Sequence, residues 1–253
     1  MCGIFGLIIN NRMRFMFSDL IGDLFLASST RGRDASGLCI SDTEKISLYK
    51  NSEPAMQFIE DQNYKKLLDT IKSDDLPRIV IGHTRAETKG DHRYNINNHP
   101  IKAGSVIGVH NGIISNDDKL FENYHERFDR SGKVDSEIIF RLIDYKLQEG
   151  CSIVEAVKET SGIISGTFAC AFVTSLAPRY LTIFSNQQYS AVELYNFKDA
   201  KWLMFASTEA ILDSALKNKS WAGNLARCDK FSLKEEGLRI DSKTGKMYLF
   251  PIK

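Results

Sequence analysis

Apolar and polar positions along this chain follow two rhythms. Short runs of mostly apolar residues, bounded by polar or turn residues, predict strands over 3–9, 37–41, 78–84, 105–110, 167–174, 181–185, 191–197 and 202–207. Three shorter runs, 231–233, 238–241 and 246–250, read as closing strands, with Thr244-Gly245 as a hairpin turn. A helical rhythm predicts helices over 15–29, 63–72, 135–148, 152–161 and 208–218. Ile138, Ile139, Leu142 and Ile143 form an apolar stripe, and Asp135 and Ser152 stand where N-caps are expected. Strands come in blocks with helices grouped between them. That order predicts an α+β fold of antiparallel sheets covered by helices, not an alternating parallel one. No repeat or Pro/Gly/Ser-rich linker interrupts the pattern, so a single domain over 1–253 is expected.

Composition narrows the function classes. Lys and Arg total 33 against 32 Asp and Glu, giving a formal charge of +1. That balance leaves no electrostatic footprint for nucleic acid or an anionic membrane. Neither a spanning apolar run nor a signal-peptide pattern is visible, so a cytoplasmic protein is expected. The five cysteines, Cys2, Cys39, Cys151, Cys170 and Cys228, are odd in number and form no Cys-x-x-Cys pair. Neither a disulfide framework nor a zinc site is indicated, and no metal is expected. Cys39 and Cys170 fall in strand-like runs and read as small core hydrophobes.

Cys2 is different. It follows Met1 directly, and removal of Met1 would place a thiol and a free α-amine on one residue. An amine titrating near pH ~8 can serve as general base for its own thiol. Taken alone, Cys2 reads better as a small apolar residue starting a strand. Four further stretches change that balance. Arg31-Gly32-Arg33-Asp34-Ala35-Ser36-Gly37 lies between a helix and a strand, as a solvated turn would. Gly82-His83-Thr84-Arg85-Ala86-Glu87-Thr88-Lys89-Gly90 ends a strand and opens a polar loop reaching His99-Pro100. An arginine there can present its fork to a carboxylate, or make an ordinary surface ion pair. His110-Asn111-Gly112 follows a strand and reads as a hairpin turn or as an oxyanion hole built from the Asn amide and the Gly N–H. Asp135-Ser136-Glu137 opens a helix, where the carboxylate either caps it or binds a substrate ammonium.

The order and spacing of these stretches, starting from the penultimate Cys2, resemble the class II glutamine amidotransferases, a branch of the N-terminal nucleophile hydrolases. The resemblance is to the glutaminase domain shared by glucosamine-6-phosphate synthase, amidophosphoribosyltransferase and asparagine synthetase, and it is strongest toward the first. It runs from Cys2 to at least Asp135, and more weakly through Gly166-Thr167-Phe168-Ala169 and Phe205-Ala206-Ser207-Thr208-Glu209. It implies a four-layer αββα sandwich of two antiparallel sheets between helical layers. The resemblance also implies roles: Cys2 as nucleophile, Arg31 beside it, and Asn111 and Gly112 as the oxyanion hole. Arg85 would hold the glutamine α-carboxylate and Asp135 the α-amine, with Thr88 and His99 as further substrate-binding positions. Where that branch has Trp-Ala-Thr-His after the arginine, this chain has Ala86-Glu87-Thr88-Lys89 and lacks the covering aromatic.

The implied activity is glutamine hydrolysis to glutamate and ammonia through a Cys thioester, with no cofactor. A synthase domain is not expected within 1–253, so ammonia would pass to a separate synthase partner. Two alternatives remain: an N-terminal cysteine hydrolase of another γ-glutamyl amide, and a catalytically silent glutamine-sensing module.

Overall fold

A computed structural model describes residues 1–9, 14–72, 77–187, 192–198, 202–217, 219 and 228–252. Two sheets stack face to face, and every strand pairing described is antiparallel. The first runs in the order β11 (Asp229–Leu233), β9 (Val192–Phe197), β10 (Trp202–Ala206), β1 (Gly3–Ile9), β4 (Arg78–Arg85), β2 (Ala35–Ser41) and β3 (Ile46–Asn51). The second runs β13 (Met247–Pro251), β12 (Glu236–Asp241), β8 (Tyr180–Ser185), β7 (Gly166–Thr174), β6 (Val106–Ile114) and β5 (Ile101–Ala103).

Helices α1 (Arg14–Ser28), α2 (Ala55–Phe58), α3 (Gln62–Lys72) and α7 (Glu209–Leu216) cover the first sheet. Helices α4 (Asp117–Asn123), α5 (Glu137–Gln148) and α6 (Ile153–Ile163) cover the second. Three apolar layers result. Phe17, Leu20, Ile21, Leu24 and Phe25 recur at helical spacing on α1 and meet Phe5, Leu7 and Ile9 of β1. Ile4 and Ile8 point the other way, into the layer between the sheets, with Ile81, Val109, Ala171 and Phe205. Both faces of β1 are therefore buried, which is why its sequence is apolar without alternation. Each such Leu, Ile or Phe contributes about 1.5–3 kcal/mol over its exposed state.

This is the expected α+β, four-layer αββα arrangement. Three details differ from the sequence pattern. Strand β6 continues through Ile114, so Asn111-Gly112 lies inside a strand, not in a hairpin turn. Helix α5 begins at Glu137 with Ser136 at its N-cap, and Asp135 does not cap it. Strands β3 and β5 and helices α2 and α4 carry too few apolar residues, or are too short, to register in the pattern. Ser152 caps α6 as expected, through a full capping box with Glu155. The strand start at Ala191 and the helix end at Asn218 lie outside the described residues. Among the described residues, no helix is long and apolar enough to cross a membrane.

Candidate active site

Register brings the chemistry to one end of the sandwich. Gly3 of β1 pairs with Thr84 of β4, so Cys2 lies beside Arg85. The Cys2 sulfur is 3.5 Å from the Ala86 carbonyl oxygen, and Arg31 Nε donates to the Cys2 carbonyl at 2.9 Å. Gly32 lets the α1–β2 connection lie directly on the end of β4: a Cβ there would sit 2.4 Å from the Thr84 carbonyl oxygen. Burial pushes the Cys2 thiol up, opposed by the chain terminus and Arg85, with Asp135 adding to the rise. The sulfur is thus a thiol at neutral pH and needs a base to attack. Met1 is 76% exposed, which leaves the terminus open to processing.

Across the gap between the sheets, His83 Nε2 lies 3.2 Å from the His110 carbonyl and links β4 to β6. The next residues on β6 are Asn111 and Gly112. Gly112 has φ +151°, and a Cβ there would stand 1.9 Å from the Thr167 carbonyl oxygen. Only glycine fits this backbone. The Asn111 carbonyl accepts from Gln187 Nε2 at 3.2 Å; among the described residues no hydrogen bond engages the Asn111 side-chain amide. Asp135 is buried just before α5, and its Oδ2 accepts the Ile114 N–H at 2.8 Å. His110 Nε2 faces the Thr167 carbonyl at 3.3 Å, so that nitrogen carries the proton and Nδ1 accepts the Ser136 hydroxyl at 2.7 Å. That tautomer joins the Asn111-Gly112 strand to the residue beside Asp135.

Arg85 is buried, and its guanidinium is aimed by the loop that follows it. Nη1 donates to Asn98 Oδ1 at 2.8 Å, and Nη2 donates to the Lys89 carbonyl at 2.9 Å and to the Gly90 carbonyl. Part of its donor set remains for a ligand. Thr88 is exposed on the loop. His99 is 3% exposed, stacks on His83 with centroids 4.1 Å apart, and among the described residues neither ring nitrogen has a hydrogen-bond partner. Lys50 donates to the Asn98 carbonyl at 2.6 Å, and burial depresses its ammonium to about 8.

Cys2, Arg31, Arg85 and Asp135 therefore share one electrostatic neighbourhood, with Asn111 and Gly112 on the facing sheet. Sequence reasoning missed the supporting residues. Asp34 donates its N–H to the Arg85 carbonyl at 2.9 Å and accepts the Glu87 N–H at 2.7 Å. It stands inside the Arg31–Gly37 stretch, where a fixed acid beside two arginines was the available signal. Asn98 and Gln187 carry no local pattern that marks them.

The buried histidines predict acid sensitivity. Burial lowers His83 to about 3, His99 well below its ordinary value and His110 in the same direction. In the unfolded chain these rings take protons near pH ~6.5. Between that value and the folded one the unfolded state binds more protons, so stability falls as pH falls. Each ring that stays neutral costs ~2 kcal/mol at pH ~5. Thermal melts at pH 7 and pH 5 should show a lower midpoint at pH 5. His99→Leu, which strands no hydrogen-bond partner, should reduce that difference.

The chain has close likenesses among known proteins. A family model described as "Glutamine amidotransferase domain" matches residues 83–214, just over half of the chain. The chain belongs to the glutamine amidotransferases. The glutamine–fructose-6-phosphate aminotransferase (isomerizing) of Streptococcus mutans is 30% identical over 189 residues, covering 74% of this chain and 29% of that protein. The corresponding enzyme of Streptococcus pyogenes is 31% identical over 175 residues, covering 68% and 27%. This amidotransferase chain thus spans less than a third of the length of those curated relatives. The glutamine phosphoribosylpyrophosphate amidotransferase from B. subtilis, complexed with ADP and GMP, superposes with a TM-score of 0.73 at 17% identity. That match covers 100% of this chain and 49% of the other. The shared fold is that of the class II, N-terminal nucleophile amidotransferases.

Proposed function

We propose that the chain is a class II glutaminase acting from Cys2 once Met1 is removed. The observation that carries this reading is the pairing of β1 with β4, which sets Cys2 beside Arg85 with its sulfur 3.5 Å from the Ala86 carbonyl oxygen. The freed α-amine takes the thiol proton as sulfur attacks the side-chain amide carbon of glutamine. The Asn111 amide and the Gly112 N–H stabilise the tetrahedral oxyanion. The amine returns the proton to the departing ammonia, and water hydrolyses the γ-glutamyl thioester to glutamate. Arg85 takes the α-carboxylate and Asp135 the α-amine, selecting free glutamine over a peptide-bound one. The defining experiment incubates processed protein with glutamine and measures glutamate; intact mass should show loss of one methionine. Full turnover in protein that uniformly keeps Met1 would contradict the amine as base.

Arg85→Lys is expected to raise KM for glutamine by about tenfold or more, because an ammonium cannot reproduce the planar two-bond fork. Asp135→Asn is expected to act in the same direction by leaving the substrate ammonium unpaired. Steady-state kinetics check both, and near-normal KM in both would remove the amino-acid clamp.

Ammonia is mostly protonated at neutral pH and then not nucleophilic. We therefore propose that a separate synthase receives it through a shielded path, and that docking completes closure of the 86–92 loop. Isolated protein should turn over slowly, and the synthase with its acceptor should raise the rate. Affinity purification from the native cell supplies the candidates. Rapid turnover alone, unchanged by any co-purifying synthase, would favour a self-contained γ-glutamyl amide hydrolase.

A further inference from the structure

We propose that Lys89 is a positioning residue for glutamine, an ionic clasp that holds the loop after β4 over the site; the proposal rests on the glutaminase reading above. The family resemblance places a histidine at this position and an aromatic three residues earlier, so the clasp belongs to this chain's own sequence. Lys89 serves the site with two groups. Its carbonyl accepts from Arg85 Nη2 at 2.9 Å and so helps aim the guanidinium. Its Nζ donates to Asp117 Oδ2 at 2.6 Å and to both Asp118 oxygens at 2.9 Å.

The acids it reaches are placed by the other sheet. Asp117 opens α4, just beyond the end of β6, the strand that carries Asn111 and Gly112. The clasp therefore ties the loop that aims Arg85 to the strand that presents the Gly112 N–H. Arg130 completes the cluster, bonding Asp117 at 3.0 Å and Asp118 at 2.6 Å, so two acids face two bases. The Asp117 side chain is 4% exposed and Lys89 38%, whereas Asp118 is 67% exposed. The Asp117 contact is the one shielded from water and salt, and Asp118 adds little. On the opposite flank the loop is held by Asp34, which accepts the Glu87 N–H at 2.7 Å. With Lys89 removed, the loop keeps the Asp34 bond at one end, the Arg85 bonds to the Lys89 and Gly90 carbonyls, and the Asn97, Ser52 and Asn98 bonds to the Asp91 and His92 carbonyls at the other, but loses its tie to α4. Asp117 keeps Arg130, so the fold does not acquire an unpaired buried charge.

The test uses the purified full chain and glutamine, with Lys89→Met and Lys89→Arg. Lys89→Met should raise KM roughly fivefold or more while kcat stays within about twofold, because uniform binding is lost and the reacting atoms are untouched. Lys89→Arg, which can still pair with Asp117, should return KM to near the wild-type value. Amide hydrogen exchange without glutamine reads the clasp independently of turnover: exchange across 86–92 should be faster in Lys89→Met than in wild type. Unchanged exchange overturns the clasp. Faster exchange with unchanged KM overturns the positioning role. A wild-type chain that loosens as expected on Lys89→Met but hydrolyses no glutamine removes the glutaminase reading, and with it the role in glutamine binding, while leaving the clasp.

Discussion

Alanine in place of Cys2 is expected to abolish release of glutamate and ammonia while glutamine still binds. The proposed binding groups, Arg85 and Asp135, are held by Asn98, the Lys89 carbonyl and the Ile114 N–H, none of which involves the sulfur. Affinity should therefore change little, whereas the rate should fall by at least about 10⁴-fold, as when a nucleophile is removed from a covalent mechanism. Calorimetry and a glutamate assay on the same sample check both halves. Labelling gives a sharper form of the same expectation. A glutamine analogue with an electrophile at its side-chain end should modify Cys2 and spare the rest. Cys39 and Cys170 are buried, and burial pushes both thiols up, so neither offers a thiolate or a path to it. Cys151 and Cys228 are half-buried, and burial pushes their thiols up as well. Adducts centred on any of these would contradict the assignment.

Gly112→Ala should produce the second large effect, on rate and stability together. The φ of +151° is strained for any side chain, and the new methyl would press on the Thr167 carbonyl oxygen at 1.9 Å. Strain of this kind costs about 1–3 kcal/mol, which lowers the midpoint of a chain this size by several degrees. Relief requires the Gly112 peptide to rotate or β6 to part from β7, and either movement turns the N–H away from the developing oxyanion. Loss of one such donor slows the reaction by about 10²–10³-fold. A Gly112→Ala protein that melts lower yet keeps its rate within about tenfold would show that another donor fills the hole.

The sequence pattern carried the fold because both sheets are covered on both faces. A strand such as β1, with Phe5 and Leu7 toward α1 and Ile4 and Ile8 toward the second sheet, has no polar face to blur its run. Strand β3 is half-exposed along its whole length, and its mixed composition hides it. At the candidate site, the sequence marks Cys2, Arg85 and Asp135 because each stands at the end of a readable element. For Gly112 the pattern offered a hairpin turn beside the oxyanion-hole reading: Asn-Gly signals positive φ, but here the backbone takes it up inside a strand crowded by β7. Asp135 likewise sits where a cap belongs, yet its carboxylate accepts the Ile114 N–H from a neighbouring strand. Asn98, Gln187 and the Lys89–Asp117 contact join residues far apart in the chain, and no local rhythm encodes such meetings.

The position of β1 has a consequence for how the molecule is made. Strand β1 lies between β4 and β10, and the Ile4 N–H donates to Ser207 Oγ at 2.9 Å while the Ser207 N–H returns a bond to the Ile4 carbonyl at 2.9 Å. One full edge of β1 thus waits for a partner some two hundred residues later in synthesis. Pairings of such long sequence separation form late. Until then the β10-facing edge of β1 carries N–H and C=O groups without their sheet partners, the kind of edge that invites wrong pairing. The Ile4–Ser207 bonds lie two residues from Cys2, so this end of the sandwich takes its final form only when β10 arrives.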